Sequence, residues 1–176
     1  MAMTAEGGTL YYGTRNHWVR RMQVKGFEIQ APFEPPHLDS VTSLVSVRGS
    51  LVSGSKDKHL RLWDPNAGTG HAKHTLHLFN DYVNCLHRTF HHHSDPTPSS
   101  PLFYAGSKDG QVKACFPRHD KIEVIGGFLT HTQPVNCMAS ASDLPNTLIT
   151  GSQDKTVKLW APSKETQEHL GAVCNF

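Results

Sequence analysis

Along the chain, apolar residues alternate with polar ones in short stretches and never settle into helical spacing. SVTSLVSV (40–47), DYVNCLHR (81–88) and PVNCMASA (134–141) have the period of two that marks a half-buried strand. Each is followed by a second short run closing on Gly-Ser, at 51–55, 103–107 and 148–152. A tight turn carrying Asp comes next, then a third run such as LRLW (60–63) or TVKLW (156–160). A fourth strand is predicted at HTLHLF (74–79) and KIEVI (121–125). No segment sustains a period near 3.6, so helix content should be very low.

This order of elements repeats. GSKDKHLRLW (54–63), GSKDGQVKAC (106–115) and GSQDKTVKLW (151–160) superpose without gaps, and GTRNHWVRRM (13–22) is a weaker fourth copy. Their leading glycines stand 41, 52 and 45 residues apart. The tripeptide Val-Asn-Cys recurs at 83–85 and 135–137, in the same place relative to the motif. Four short strands in a period of this length make one blade of a β-propeller. The long middle step comes from HHHSDPTPSSP (91–101), a His/Pro/Ser-rich insert. Its adjacent imidazoles lack the spacing of a built zinc site, so it is read as a loop and no metal site is assigned.

Composition narrows the function. Seventeen Lys and Arg against 15 Asp and Glu give a net charge of +2, which argues against nucleic acid as a partner. No apolar run approaches the roughly 20 residues of a membrane-spanning helix, and the N-terminus lacks the basic start and apolar core of a secretory signal. Cys85, Cys115, Cys137 and Cys174 form no C-x-x-C pair and are expected to be reduced thiols. Cys85 and Cys137, on apolar strands, are expected in the core. No phosphate-binding Gly-rich loop, G-x-S-x-G or HExxH is present, so no enzyme activity and no cofactor are expected.

The motif resembles the WD40 family from about residue 8 to residue 161, with the Trp-Asp signature once, at Trp63-Asp64, and a near miss at Trp160-Ala161. The resemblance implies an all-β fold of consecutive propeller blades, about three and a half of them. It implies a side-chain relay from His37 through Ser53 and Asp57 to Trp63, and a second over His131, Thr150, Asp154 and Trp160. In these relays Asp is expected to accept from His, and His to donate onward to the hydroxyl. The corresponding positions between them hold Phe79, Ala105, Asp109 and Cys115, so that blade is expected to be the loosest. The chain is divided into 1–36, the end of a partial blade and a linker; blades at 37–79, 80–130 and 131–170; and a tail at 171–176.

FEPPHLD (33–39) leading into the first strong repeat, LYYGTRNHWVRRM upstream and a last repeat close to the C-terminus look like the end of the propeller in kinesins of the fourth family, the subtype with C-terminal WD repeats. That resemblance implies a non-catalytic module binding tubulin, microtubules or cargo adaptors, in the cytoplasm at the cytoskeleton or cilium. Any motor would lie outside this chain, as would the rest of the propeller, supplied by another segment or chain. A general WD40 scaffold or substrate-receptor adaptor fits the repeats as well. In the family, the position before the turn Asp faces the open top of the propeller. Here it holds Arg15, Lys56, Lys108 and Gln153, a basic set suited to an acidic partner.

Overall fold

The structure, a computed structural model, describes residues 2–67, 70–89, 103–140, 147–162 and 169–175, with the backbone alone from 161 onward. Every element among the described residues is a strand. The strands form four antiparallel sheets in which sequence neighbours pair. The first holds β1 (Ala2–Glu6), β2 (Thr9–Gly13) and β3 (Val19–Gln23). The second holds β4 (Val41–Val47), β5 (Ser50–Ser55), β6 (His59–Trp63) and β7 (Ala72–His77). The third holds β8 (Val83–Arg88), β9 (Phe103–Ser107), β10 (Gln111–Pro117) and β11 (Ile122–Leu129). The fourth holds β12 (Val135–Ala139), β13 (Leu148–Ser152), β14 (Thr156–Pro162) and β15 (His169–Asn175). The leading strands β1, β4, β8 and β12 pack one against the next, so the sheets follow each other as blades around a common inner line.

Four details differ from the sequence expectation. The weak first repeat is more complete than a partial blade end: β1 pairs with β2 along its length, and Ile29 bridges Met22 where a fourth strand would lie. AMTAE lacks the alternation that would have announced β1. The fourth strand of the second sheet is Ala72–His77 rather than 74–79, because Leu78 and Phe79 leave the strand to bury beneath it. The corresponding strand of the third sheet runs on from 125 to Leu129, carried by a bulge opposite Ala114 and Cys115. Residues 171–175, read as a tail, are paired strand: β15 runs antiparallel to β14 from His169 to Asn175, its backbone groups completing the ladder.

Both faces of each middle blade are apolar. In the second sheet Leu51 and Trp63 pack toward the first with Tyr11 and Phe33, while Val52, Leu60 and Leu62 pack toward the third with Phe79 and Phe103. Tyr104, Val112 and Ala114 then meet Val135, Leu148 and Trp160 of the fourth. This explains why the second strand of each repeat is a short apolar run rather than a strict alternation.

The seam between blades has a fixed design. The register of β4, β8 and β12 shifts after their first residue, at Val41, Val83 and Val135. Such a bulge re-aims a side chain, and each of these valines points at the motif glycine of the preceding blade. A Cβ on Gly54 would stand 2.6 Å from Val83 Cγ1, and one on Gly106 3.0 Å from Val135 Cγ1; Gly13 meets Val41 in the same way. A polar side chain then crosses the seam: Thr42 Oγ1 donates to the Val83 carbonyl at 2.5 Å, and Asn84 Nδ2 to the Val135 carbonyl at 3.2 Å.

Gly54→Ala should therefore destabilise the protein by about 1–3 kcal/mol through overpacking against Val83. Gly151→Ala meets only the exposed Cys137 thiol among the described residues, so its cost should stay within about 0.5 kcal/mol. Urea unfolding of the two variants beside the wild type checks the contrast.

Candidate functional site

The turn between the second and third strands is built identically in three blades. Asp57, Asp109 and Asp154 each donate their amide N–H to a serine two residues earlier, Ser55, Ser107 or Ser152. Their Oδ1 atoms accept the N–H of His59, Gln111 and Thr156, each at 3.0 Å. The residue after Asp takes a positive φ, Lys58 at 73°, Gly110 at 83° and Lys155 at 67°. The aspartate thus folds the turn and leaves Oδ2 free for the blade interior.

In the second and fourth blades that interior is polar. His37 Nδ1 lies 2.8 Å from Asp57 Oδ2, His37 Nε2 lies 2.7 Å from Ser53 Oγ, and Trp63 Nε1 donates to Ser53 Oγ at 2.8 Å. His131 repeats this with Asp154 at 2.8 Å and Thr150 at 2.8 Å, and Trp160 Nε1 donates to Thr150 Oγ1 at 2.9 Å. All eight residues expected in the two relays come together. Burial favours the neutral His37 ring and lowers its pKa despite the carboxylate beside it. A neutral ring has one N–H. That hydrogen goes to the charged carboxylate, so Nε2 accepts the serine hydroxyl, whose oxygen is taken by the indole. The hydroxyl therefore donates to His, the reverse of the expected direction at that link. Burial raises the carboxyl of Asp57, but the bonds from His37, the Leu38 N–H and the His59 N–H outweigh it and hold it well below the carboxylate range. Asp154 is likewise held low, its burial outweighed by the Thr156 hydroxyl and His131.

The third blade has replaced the relay rather than lost its packing. Phe79, Ala105 and Cys115 are 2%, 0% and 0% exposed and join Phe103, Phe116 and Ile122 in one cluster. The expected looseness does not show in its interior, because apolar side chains fill the volume of His, Ser and Trp. The residue left over is Asp109, whose Oδ2 is buried with no partner among the described residues. Burial pushes the Cys115 and Cys85 thiols up to about 12, so both are inert. Cys137 is exposed, against the expectation of a core thiol, because among the described residues no further sheet lies against its side of β12. The 91–101 insert lies outside the described residues, and Cys174 is described by its backbone alone.

A cation on each third strand was not anticipated. Arg61 Nη1 donates to the Pro36 carbonyl at 2.7 Å, Lys113 Nζ to that of Leu78 at 2.5 Å, and Lys158 Nζ to that of Thr130. These staples fasten the loop entering each blade. Their signal was present in the sequence as Arg, Lys and Lys four residues after the turn Asp.

Arg15, Lys56, Lys108 and Gln153 are all exposed. Lys56, Lys108 and Gln153 donate their amide N–H to the carbonyl of the residue before the inner strand of their own blade, Ser40, Tyr82 and Pro134, so each of these turns sits at the end of its blade where the inner strand begins. Lys56 Nζ stands 5.8 Å and Lys108 Nζ 4.7 Å from the centre of the Tyr82 ring, and Asp81 lies 4.0 Å from Lys108. Tyr82 was not singled out from sequence; its place beside the repeated Val-Asn-Cys was the available signal. Arg15 stands a blade further on, its carbonyl accepting the Ser40 hydroxyl at 3.4 Å.

The described features define a class: consecutive β-propeller blades held by Asp turns and His–Ser/Thr–Trp relays. The family model for the WD domain, G-beta repeat, matches residues 32–64 and 123–161, and the chain carries WD40 repeats. Among curated proteins it is similar to Kinesin-like protein klp-12 of Caenorhabditis elegans, 27% identical over 90% of this chain and 10% of the relative. Kinesin-like protein KIF21A of Homo sapiens is 24% identical over 84% of this chain and 8% of the relative. Mitochondrial division protein 1 of Schizosaccharomyces pombe is 32% identical over 70% of this chain and 20% of the relative. The chain thus spans about a tenth of the kinesin-like relatives. In fold it is similar to the WD40 propeller domain of Doa1, at a TM-score of 0.71 and 22% identity over 99% of this chain and 54% of that one. The computationally designed Ika4 protein matches at a TM-score of 0.69 and 19% identity, over 91% of this chain and 89% of that one. No helix among the described residues is long and apolar enough to cross a membrane.

Two measurements test the site. A histidine kept neutral by folding contributes stability above its ordinary value of 6.5, and the contribution is lost as pH falls below it. A carboxyl held low contributes above 3.8 and loses it on further acidification. The denaturation midpoint should therefore fall as pH drops below 6.5 and fall again below 3.8, and His37→Gln should flatten the first decline. Separately, Asp57→Ala strands a buried imidazole and the turn donors and should cost about 1–3 kcal/mol. Asp109→Ala strands only the turn donors while removing a buried orphan oxygen, so calorimetry should show a clearly smaller loss.

Proposed function

We propose that this chain is a non-catalytic protein-interaction module, a portion of a WD40 propeller in a kinesin-like protein, whose exposed turns bind an acidic segment of a protein partner. The observation that carries the reading is the convergence of Lys56 and Lys108 on Tyr82 at a blade seam. Two ammonium groups held over one ring lose less freedom on binding a carboxylate than free lysines do. Arg15 extends the positive potential along the same row of turns. The kinesin-like relatives point to a cytoskeletal setting in the cytoplasm and make tubulin, with its acidic tails, the first candidate, with cargo adaptors next.

The second reading is a general WD40 scaffold or adaptor unrelated to motors. It is favoured by the fission-yeast relative, which has the highest identity of the three and no kinesin in its name. The Ser-His-Asp sets of this chain support neither hydrolysis nor metal chemistry, since their hydroxyls are occupied by the indole and the imidazole inside the blade.

Exposed lysines contribute little to folding, since surface ion pairs are worth about 0–1 kcal/mol. Reversal of Arg15, Lys56 and Lys108 to Glu should leave the unfolding midpoint close to wild type and reduce co-sedimentation with microtubules. The difference should shrink as salt shortens the Debye length. Equal pelleting of both proteins at low salt, or pelleting insensitive to salt, overturns the acidic-partner reading.

A further inference from the structure

We infer that His59 and His77, opposite each other on the two outer strands of the second sheet, form a binding site for a divalent transition-metal ion of the zinc class, with water completing its coordination. His59 opens β6, His77 ends β7, and the two are directly paired in the antiparallel ladder. Residues paired in this way stand side by side on one face of the sheet. Their ring centres lie 5.1 Å apart, with 63° between the planes. Two imidazoles bound through nitrogen to one tetrahedral ion, at about 2.0–2.1 Å each, place their ring centres roughly 5 Å apart. The pair therefore has the spacing of two ligands that share an ion. Imidazole suits zinc and its neighbours rather than hard cations such as Mg²⁺.

His59 is also oriented as a ligand. Its Nδ1 lies 2.7 Å from the backbone carbonyl of Asp57. A carbonyl only accepts, so Nδ1 carries the hydrogen and the lone pair of the neutral ring lies on Nε2. A carbonyl behind the far nitrogen is the usual support of a metal-binding imidazole. The Asp57 carboxylate, with Oδ1 3.6 Å from the same nitrogen, adds negative charge on that side. His77 is exposed and makes no hydrogen bond among the described residues, so either of its nitrogens can serve. The repeat does not impose the pair. The same register position holds Gln111 and Leu129 in the third sheet, and Thr156 and Asn175 in the fourth, while the Asp turn folds alike in all three. The chain joins β6 to β7 beyond Trp63, so an ion held here clamps the end of the ladder that no turn closes.

The site is separate from the basic turns and from both relays, none of which uses either imidazole. Its test uses the full chain with Zn²⁺ alone as probe. The readout is the rate of modification by diethyl pyrocarbonate, which attacks an unbound imidazole nitrogen, followed at each histidine by mass spectrometry. Zn²⁺ should slow modification of His59 and His77 at least tenfold at saturation, with one midpoint for both, and Mg²⁺ should change neither. His77→Gln should abolish the protection of His59, and His59→Gln that of His77, with circular dichroism confirming that each variant folds. His119→Gln, on the third blade, should keep the wild-type pattern. Protection confined to other histidines, or protection of His59 that survives His77→Gln, overturns the inference. The urea midpoint gives a readout independent of reagent access: Zn²⁺ should raise it more in the wild type than in either variant of the pair, and an equal rise in all three overturns the shared site.

Discussion

A small sheet with apolar residues on both faces cannot hide them by itself. Everything else in this molecule depends on how one sheet seats the next. The seat is a steric device: a valine turned out by a bulge into the space left by a missing Cβ on the preceding blade. At Gly54 a methyl would stand 2.6 Å from Val83 Cγ1, closer than packed carbons approach, so the glycine sets the spacing of the inner strands. The side chains that cross the seam are interchangeable by comparison. Threonine at one junction and asparagine at the next satisfy the same kind of carbonyl.

The relays inside the blades are subordinate to that seat. Two blades keep His, hydroxyl, Asp and Trp in hydrogen-bonded series, and the third substitutes Phe, Ala and Cys for three of the four without leaving its interior exposed. A buried polar network must be satisfied throughout or be replaced by apolar groups of similar volume. The third blade follows the second course almost completely. The Asp109 oxygen without a partner is the remnant, kept because the other oxygen of the same carboxylate still folds the turn.

The same economy shapes the surface. The turn Asp is committed to structure in all three strong repeats, which leaves its exposed neighbours free to vary. Lysine precedes it twice and glutamine once, and the two lysines meet over Tyr82 because adjacent turns flank a single seam. A charge pattern of this kind is compatible with a near-neutral chain, since what matters to an acidic partner is local potential rather than the total.

Sequence alone determined the repeat, the strand period, the Asp turns and the membership of both relays. These are local or periodic properties: a two-residue alternation, a glycine and an aspartate at fixed offsets, a motif copied along the chain. It also carried the basic series before the turn Asp. Only the tertiary structure decided which way the hydrogen bonds of the relay run, since that depends on His37 being buried enough to stay neutral. It revealed β1 and β15, whose segments show no strong alternation and become strands through pairing with β2 and β14. It placed Tyr82 between two lysines of different repeats and left Cys137 exposed while its counterpart Cys85 is covered. Those two cysteines sit in the same tripeptide, so nothing local distinguishes them. The presence or absence of a neighbouring sheet does, and that is a property of the array rather than of the residue.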